Sequence, residues 1–135
     1  MPDKLQDMLH LARQMMQRAY APYSKFHVGA VVRAEDGSLH GGCNVENAAY
    51  PQGTCAEAGA IAAMVAAGGK RILECVVIGP GPGVISPCGG CRQKLREFAS
   101  DDLQVHLCGP DGLHRTVTLG HLLPMSFGPH HLEKR

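Results

Sequence analysis

The chain has 135 residues, a net charge of +1 and six cysteines, with no tryptophan. That length reads as one domain (residues 1–135, a core of about 5–127 and a short C-terminal tail) with enough apolar content for a core. Lysine and arginine are scattered along the chain, so no nucleic-acid partner is expected, and no apolar stretch approaches the roughly 20 residues that cross a membrane. Met1-Pro2-Asp3-Lys4 does not open a secretory signal, so the cysteines read as reduced thiols of a cytoplasmic protein.

Leu5, Met8, Leu9, Ala12, Met15, Met16 and Ala19 recur at three and four residues, which predicts an amphipathic first helix stopped by Pro22. His27 to Ala34 and Ser38 to Val45 read as two strands of a hairpin around Glu35-Asp36-Gly37. Glu46 to Thr54, rich in Asn, Pro, Gly and Gln, reads as an ordered loop. Cys55 to Ala67 reads as a second helix, closed by Gly68-Gly69. Gly59 inside it costs about 1 kcal/mol relative to alanine, which predicts tight packing and a helix buried on more than one side.

Ile72 to Ile78 is a nearly continuous apolar run, as expected of a central strand. Gly79 to Ser86 is a Gly/Pro loop without the Gly-Lys-Ser/Thr ending of a phosphate loop. Pro87 and Cys88 open a third helix reaching about Ala99. Leu103 to Leu107 and His114 to Thr118 are the last strands, separated by Pro110-Asp111-Gly112, and Leu119 to Leu123 gives a short helix. Strand, helix, strand from Ile72 to Leu107 requires a parallel crossover. The expected fold class is therefore α/β: three layers, with a mixed sheet of about five strands between helices.

Two segments carry the chemistry, Thr54-Cys55-Ala56-Glu57 and Pro87-Cys88-Gly89-Gly90-Cys91. They offer three thiolates to a metal, with a carboxylate two residues from the first. A structural zinc site closes with four protein ligands, whereas a catalytic one keeps a position open. Water bound there ionises near neutral pH, and an adjacent carboxylate can carry its proton. This is the pattern of zinc-dependent base deaminases, in which the Glu is not a ligand. A redox Cys-x-x-Cys pair explains neither the third cysteine nor the carboxylate. Cys75 and Cys108 lie within apolar runs, which leaves Cys43 as the one competitor for a fourth ligand. Cys55 and Cys88 sit at helix starts, whose partial positive charge should lower thiol pKa values. Arg92 can offset further negative charge by hydrogen bonding to sulfur. Taken alone, Glu57 would be a simple helix-dipole acid.

Cys55-Ala56-Glu57, Pro87-Cys88-Gly89-Gly90-Cys91-Arg92-Gln93, Asn44-Val45-Glu46-Asn47-Ala48-Ala49-Tyr50-Pro51 and Tyr23-Ser24-Lys25-Phe26-His27-Val28-Gly29-Ala30 form four motifs in register. Together they resemble cytidine deaminase of the small, homotetrameric type. The resemblance runs in order from about Leu5 to Phe127, including Leu122-Leu123-Pro124. It implies a cytidine-deaminase-like α/β/α fold and hydrolysis of cytidine and deoxycytidine to uridine, deoxyuridine and ammonia, in pyrimidine salvage.

The resemblance also implies one Zn2+ per chain, held by Cys55, Cys88 and Cys91 with Arg92 beside the ligands. Glu57 would take the proton of the attacking water, protonate pyrimidine N3 and then the leaving amine, while addition at C4 gives a tetrahedral intermediate. Backbone at Ala56 and Ser86 would hold the pyrimidine edge, Asn44 and Glu46 the ribose 3′-hydroxyl, and Phe26 the base or sugar. Tyr50 and Phe127 would reach a neighbouring subunit's site in a homotetramer. The chain departs from many such proteins in carrying Ala58, where they have an Arg that neutralises the thiolates. Blasticidin S deaminases share the two cysteine segments, but Asn44-Val45-Glu46-Asn47 favours ordinary nucleosides. A non-catalytic zinc module would have no use for Glu57. His130 and His131 are read as solvated tail residues.

Overall fold

The computed structural model describes residues 4–132, so Met1-Pro2-Asp3 and Glu133-Lys134-Arg135 lie outside the described residues. The order is α1 (Lys4–Arg18), β1 (Gly29–Ala34), β2 (Leu39–Cys43), α2 (Ala56–Ala66), β3 (Ile72–Ile78), α3 (Gly89–Phe98), β4 (Gln104–Gly109), β5 (Gly112–Thr118) and α4 (Leu119–Leu122). Short 3-10 turns occupy Tyr50–Gln52 and Pro129–Leu132. The sheet runs β2-β1-β3-β4-β5, with β3 and β4 parallel and the other neighbours antiparallel. The mixed α/β sheet expected from the element order is the one observed.

Alternation along the strands divides the core into two layers. Ala30, Val32, Cys75, Val77, Val105 and Leu107 face one side, where they bury Ala60, Met64 and Leu95 of α2 and α3. Val31, Val76, Ile78 and Cys108 face the other side and pack on Met8, Leu9 and Ala12 of α1. Complete burial of a side chain such as Leu95 contributes about 1.5–3 kcal/mol. On the α1 side a polar row crosses four strands. Arg33 Nε donates to Glu74 Oε1 at 3.3 Å, Glu74 Oε2 lies 2.5 Å from His106 Nε2, and His106 Nδ1 lies 2.8 Å from Thr116 Oγ1. Each buried polar group there has a partner, as burial demands.

The first two strands are shorter than expected, for a specific reason. The Asn44 side chain accepts from Val28 N at 2.9 Å and donates to Phe26 O at 2.8 Å. It satisfies the backbone groups that a longer β1–β2 ladder would have paired. Val45 and Thr54 then exchange backbone hydrogen bonds of 3.0 and 2.9 Å, closing the loop between them just before Cys55.

Helix α2 is apolar around its circumference but buries one side only. Ala56, Glu57, Ala60, Ile61 and Met64 are buried, while Ala62, Ala63, Val65 and Ala66 are exposed within the chain. The inner side lies against β2 closely enough that Gly42 has no room for a β-carbon.

The sheet register decides where the site forms. Gly29 opens β1 opposite Cys43, which closes β2, and also opposite Ile78, which closes β3. The segments before β1, after β2 and after β3 therefore leave the sheet at one level. Binding crevices in open α/β sheets form at such strand ends.

Candidate metal and active site

Cys55 caps α2 with extended backbone, and its side chain makes no capping hydrogen bond. Cys88 caps α3, and Cys91 follows within its first turn. Serine, threonine or an acid usually fills a cap to satisfy first-turn N–H groups, so two cysteines there leave sulfur directed elsewhere. The three Sγ atoms lie within 4.8 Å of one another, and those of Cys55 and Cys88 are 3.8 Å apart.

Glu57 is 4% exposed, in the first turn of α2. Burial raises its carboxyl pKa above the ordinary value; its own backbone N–H, the Cys91 thiol and the Lys94 charge pull it back. The expectation that the helix starts lower the thiol pKa holds for Cys88 and is corrected for Cys55. The Cys91 N–H holds Cys88 below its ordinary value. Burial pushes Cys55 up, with the Cys88 side chain next in size. Burial also pushes Cys91 up, followed by repulsion from Glu57 and Cys55. Three thiols and a carboxyl in one partly dry corner cannot all ionise without a cation. A soft dication fits that donor set: zinc takes thiolates in tetrahedral geometry and keeps the fourth position when the protein supplies three.

Beside the thiols lies a cavity of about 480 Å³. Its lining includes Cys55, Ala56, Glu57, Ser86 and Cys88 at one end and Phe26, Asn44, Glu46 and Tyr50 at the other. Phe26 is presented from a tight loop in which Lys25 adopts φ +61°, a left-handed conformation uncommon outside glycine. Glu46 fastens that loop: Oε1 accepts from Tyr23 N at 2.9 Å and Ser24 N at 3.1 Å, and Oε2 accepts from the Ser24 hydroxyl. These bonds lower the carboxyl pKa, the Ser24 side chain having the largest effect. A second hollow of about 370 Å³ shares Ser24, Glu46, Tyr50 and Gly53 with the first.

Other expected residues lie differently. Arg92 makes no hydrogen bond to a cysteine sulfur. Its guanidinium donates to Pro87 O at 2.8 Å, Leu122 O at 2.9 Å and Ser86 Oγ at 2.9 Å, so it anchors the segment that carries Cys88. Phe127 is outside its own chain's cavity and 55% exposed. Its ring stacks on His131 at 5.0 Å, and its carbonyl accepts from Gln93 Nε2 at 2.8 Å. His130 and His131 are both exposed, as read from the sequence, and His131 stacks on the Phe127 ring at the surface. Ser24 was not singled out from the sequence, although its place two residues before Phe26 and its bond to Phe26 N, 3.0 Å, mark it as a turn former.

Residues 2–107 match the family described as cytidine and deoxycytidylate deaminase zinc-binding region. The chain belongs to the cytidine deaminase family. Members of this family are zinc-dependent hydrolytic deaminases, and the Cys55, Cys88 and Cys91 cluster is suited to that metal. A cytidine deaminase of Sporosarcina psychrophila is 40% identical over 116 residues, 86% of this chain and 85% of the relative. One from Mycobacterium tuberculosis is 40% identical over 129 residues, 95% and 93% of the two chains. The crystal structure of cytidine deaminase from Burkholderia pseudomallei aligns with a TM-score of 0.85 at 40% identity, covering 90% of this chain and 98% of that one.

Proposed function

We propose that this chain hydrolyses cytidine and deoxycytidine to uridine and deoxyuridine with release of ammonia, as a cytoplasmic enzyme of pyrimidine salvage. The observation that carries the reading is the convergence of three thiols and a buried carboxyl at one end of a cavity of nucleoside size. Cys55, Cys88 and Cys91 would hold zinc, which when bound supplies Lewis acidity toward water. Glu57 takes one proton of the attacking water and delivers it to N3, then takes the hydroxyl proton of the C4 adduct and delivers it to the amine that leaves. Its burial suits the task, since a carboxyl with a raised pKa gives up a proton closer to neutrality.

Backbone at Ala56 and the Ser86 segment faces the pyrimidine edge, and Arg92 keeps that segment in place. Phe26 packs on the base or sugar. Asn44 and Glu46 are engaged with the loop before β1, yet each retains capacity: one amide N–H on Asn44 and one acceptor site on Glu46 Oε2. A sugar hydroxyl can use both.

The 135 residues act as one domain, with a core of about residues 5–127, in a homotetramer whose active sites are shared. Tyr50 and Phe127 are 77% and 55% exposed, which suits side chains that contribute to a neighbour's pocket. The exposed apolar side of α2 supports self-association too. Nucleic acid and membrane are not partners in this reading. Among the described residues no helix is long and apolar enough to cross a membrane.

The test is ammonia release by the zinc-loaded protein from cytidine, deoxycytidine, cytosine and blasticidin S. Activity should be confined to the two nucleosides and fall at least roughly 10²-fold in Glu57→Gln, whose amide cannot shuttle protons. Release from blasticidin S alone would move the substrate assignment, and full activity of Glu57→Gln would remove the proton carrier.

A further inference from the structure

The donors that hold the Glu46 carboxylate are unequally divided between its two oxygens. Oε1 accepts from Tyr23 N at 2.9 Å and Ser24 N at 3.1 Å, which fills both of its acceptor positions. Oε2 accepts from the Ser24 hydroxyl and keeps one position open. A ligand hydroxyl that donates to Glu46 therefore meets Oε2, the oxygen that Ser24 grips.

The Ser24 hydroxyl has a single proton, and its direction is set. Oγ accepts from Phe26 N at 3.0 Å and donates to the carboxylate. Lys25, between the two residues, is left-handed at φ +61°, which turns the Phe26 N–H back toward Ser24. One hydroxyl thus joins the carboxylate expected at the sugar to the segment that presents the Phe26 ring. Ser24 and Glu46 line both the cavity of about 480 Å³ and the adjoining hollow of about 370 Å³, so this junction stands where the two meet.

We propose that Ser24 is a positioning residue for substrate selection: it holds Glu46 Oε2 and Phe26 in register, so that the site distinguishes a nucleoside with a 3′-hydroxyl from one without. The proposal rests on the reading above that Glu46 meets the ribose 3′-hydroxyl. Without the Ser24 hydroxyl, Oε1 keeps its two N–H donors while Oε2 swings about it, and Phe26 N loses its acceptor. Ser24 is exposed, so water replaces the lost bonds and the fold persists while the aim of the carboxylate is lost.

The experiment measures kcat/KM for cytidine and 3′-deoxycytidine in zinc-loaded wild type, Ser24→Ala and Ser24→Thr. The ratio of the two values within one preparation does not depend on how much of the protein is active. A purely structural loss of folded or zinc-loaded enzyme therefore leaves it unchanged. Wild type should prefer cytidine by at least about tenfold, the worth of a hydrogen bond to a charged group. In Ser24→Ala that preference should fall at least about threefold, and Ser24→Thr, which keeps the hydroxyl, should restore it. An unchanged preference in Ser24→Ala would overturn the proposal, as would a Ser24→Thr enzyme that discriminates no better than Ser24→Ala. A wild type that turns over both nucleosides equally would instead overturn the sugar-binding reading of Glu46 beneath it.

Discussion

Gly42 of β2 meets Gly59 of α2 backbone to backbone. A β-carbon at Gly42 would stand 2.3 Å from Ala60 N, 2.5 Å from Ala56 O and 2.7 Å from Gly59 C. One at Gly59 would come no closer than 3.4 Å, to Gly42 Cα. The absence of side-chain volume at Gly42 sets the height of α2 on the sheet, and with it the position of Cys55 opposite Cys88.

The two glycines should therefore respond oppositely to alanine. Gly42→Ala forces backbone to move and should cost about 2–3 kcal/mol, with weakened zinc retention because the start of α2 shifts. Gly59→Ala meets ordinary contact distances and should be neutral or stabilising, by up to about 1 kcal/mol from helix propensity. Denaturant unfolding of both variants measures this. Equal costs would show that α2 does not rest on Gly42.

Glu46 supplies a pH dependence whose sign can be worked out. The Ser24 hydroxyl and the N–H groups of Ser24 and Tyr23 hold its carboxyl pKa below the ordinary value. A depressed folded pKa stabilises the protein above the unfolded carboxylate pKa of about 4.3, and that contribution is lost as pH falls through the lower folded value. Glu46→Gln should be less stable than wild type at pH 7, with the gap closing below about pH 4. A gap independent of pH would mean that the loop is held by shape and not by the carboxylate.

Arg92 now has a definite structural task. Arg92→Ala leaves two carbonyls and the Ser86 hydroxyl without their charged donor, and hydrogen bonds to charged groups contribute about 1.5–3 kcal/mol each at most sites. Stability should fall by at least about 2 kcal/mol, and zinc should be held less tightly through the loosened Ser86–Cys88 segment. Unchanged unfolding and zinc content in Arg92→Ala would show that the helix ends suffice.

The cysteine cluster could be read in the sequence because metal chemistry demands particular residue types, and the end of the Asn/Pro/Gly-rich loop at Thr54 and the Pro87 signal placed two of them at helix starts. Element order and the parallel crossover followed from apolar period and spacing. Partner atoms far apart in sequence were not readable. Nothing local announces that Asn44 will hold Phe26 and Val28, or that Arg92 will turn toward Leu122 and away from sulfur. Gly59 drew attention as a helix glycine, while the glycine without room was Gly42, inside an unremarkable strand. His106 lay hidden in an apolar run because its partner Glu74 sits on a neighbouring strand.

Shared sites make a prediction about mass and truncation. Phe127 does not line its own chain's cavity; its ring stacks on His131 and its carbonyl accepts from Gln93 Nε2 at 2.8 Å. The protein should run in solution as a tetramer, and a chain ending before Phe127 should show a KM for cytidine raised at least about tenfold, the loss of one aromatic contact in a closed site. A fully active monomer would contradict shared sites.

The coordination of the metal is the most direct test of the central claim, an open three-thiolate site. X-ray absorption at the zinc edge of the zinc-loaded protein should show three sulfur atoms at about 2.3 Å and one lighter atom at about 2.0 Å, with one zinc per chain. Four sulfurs, with Cys43 as the fourth, would make the site closed and structural and would contradict the account.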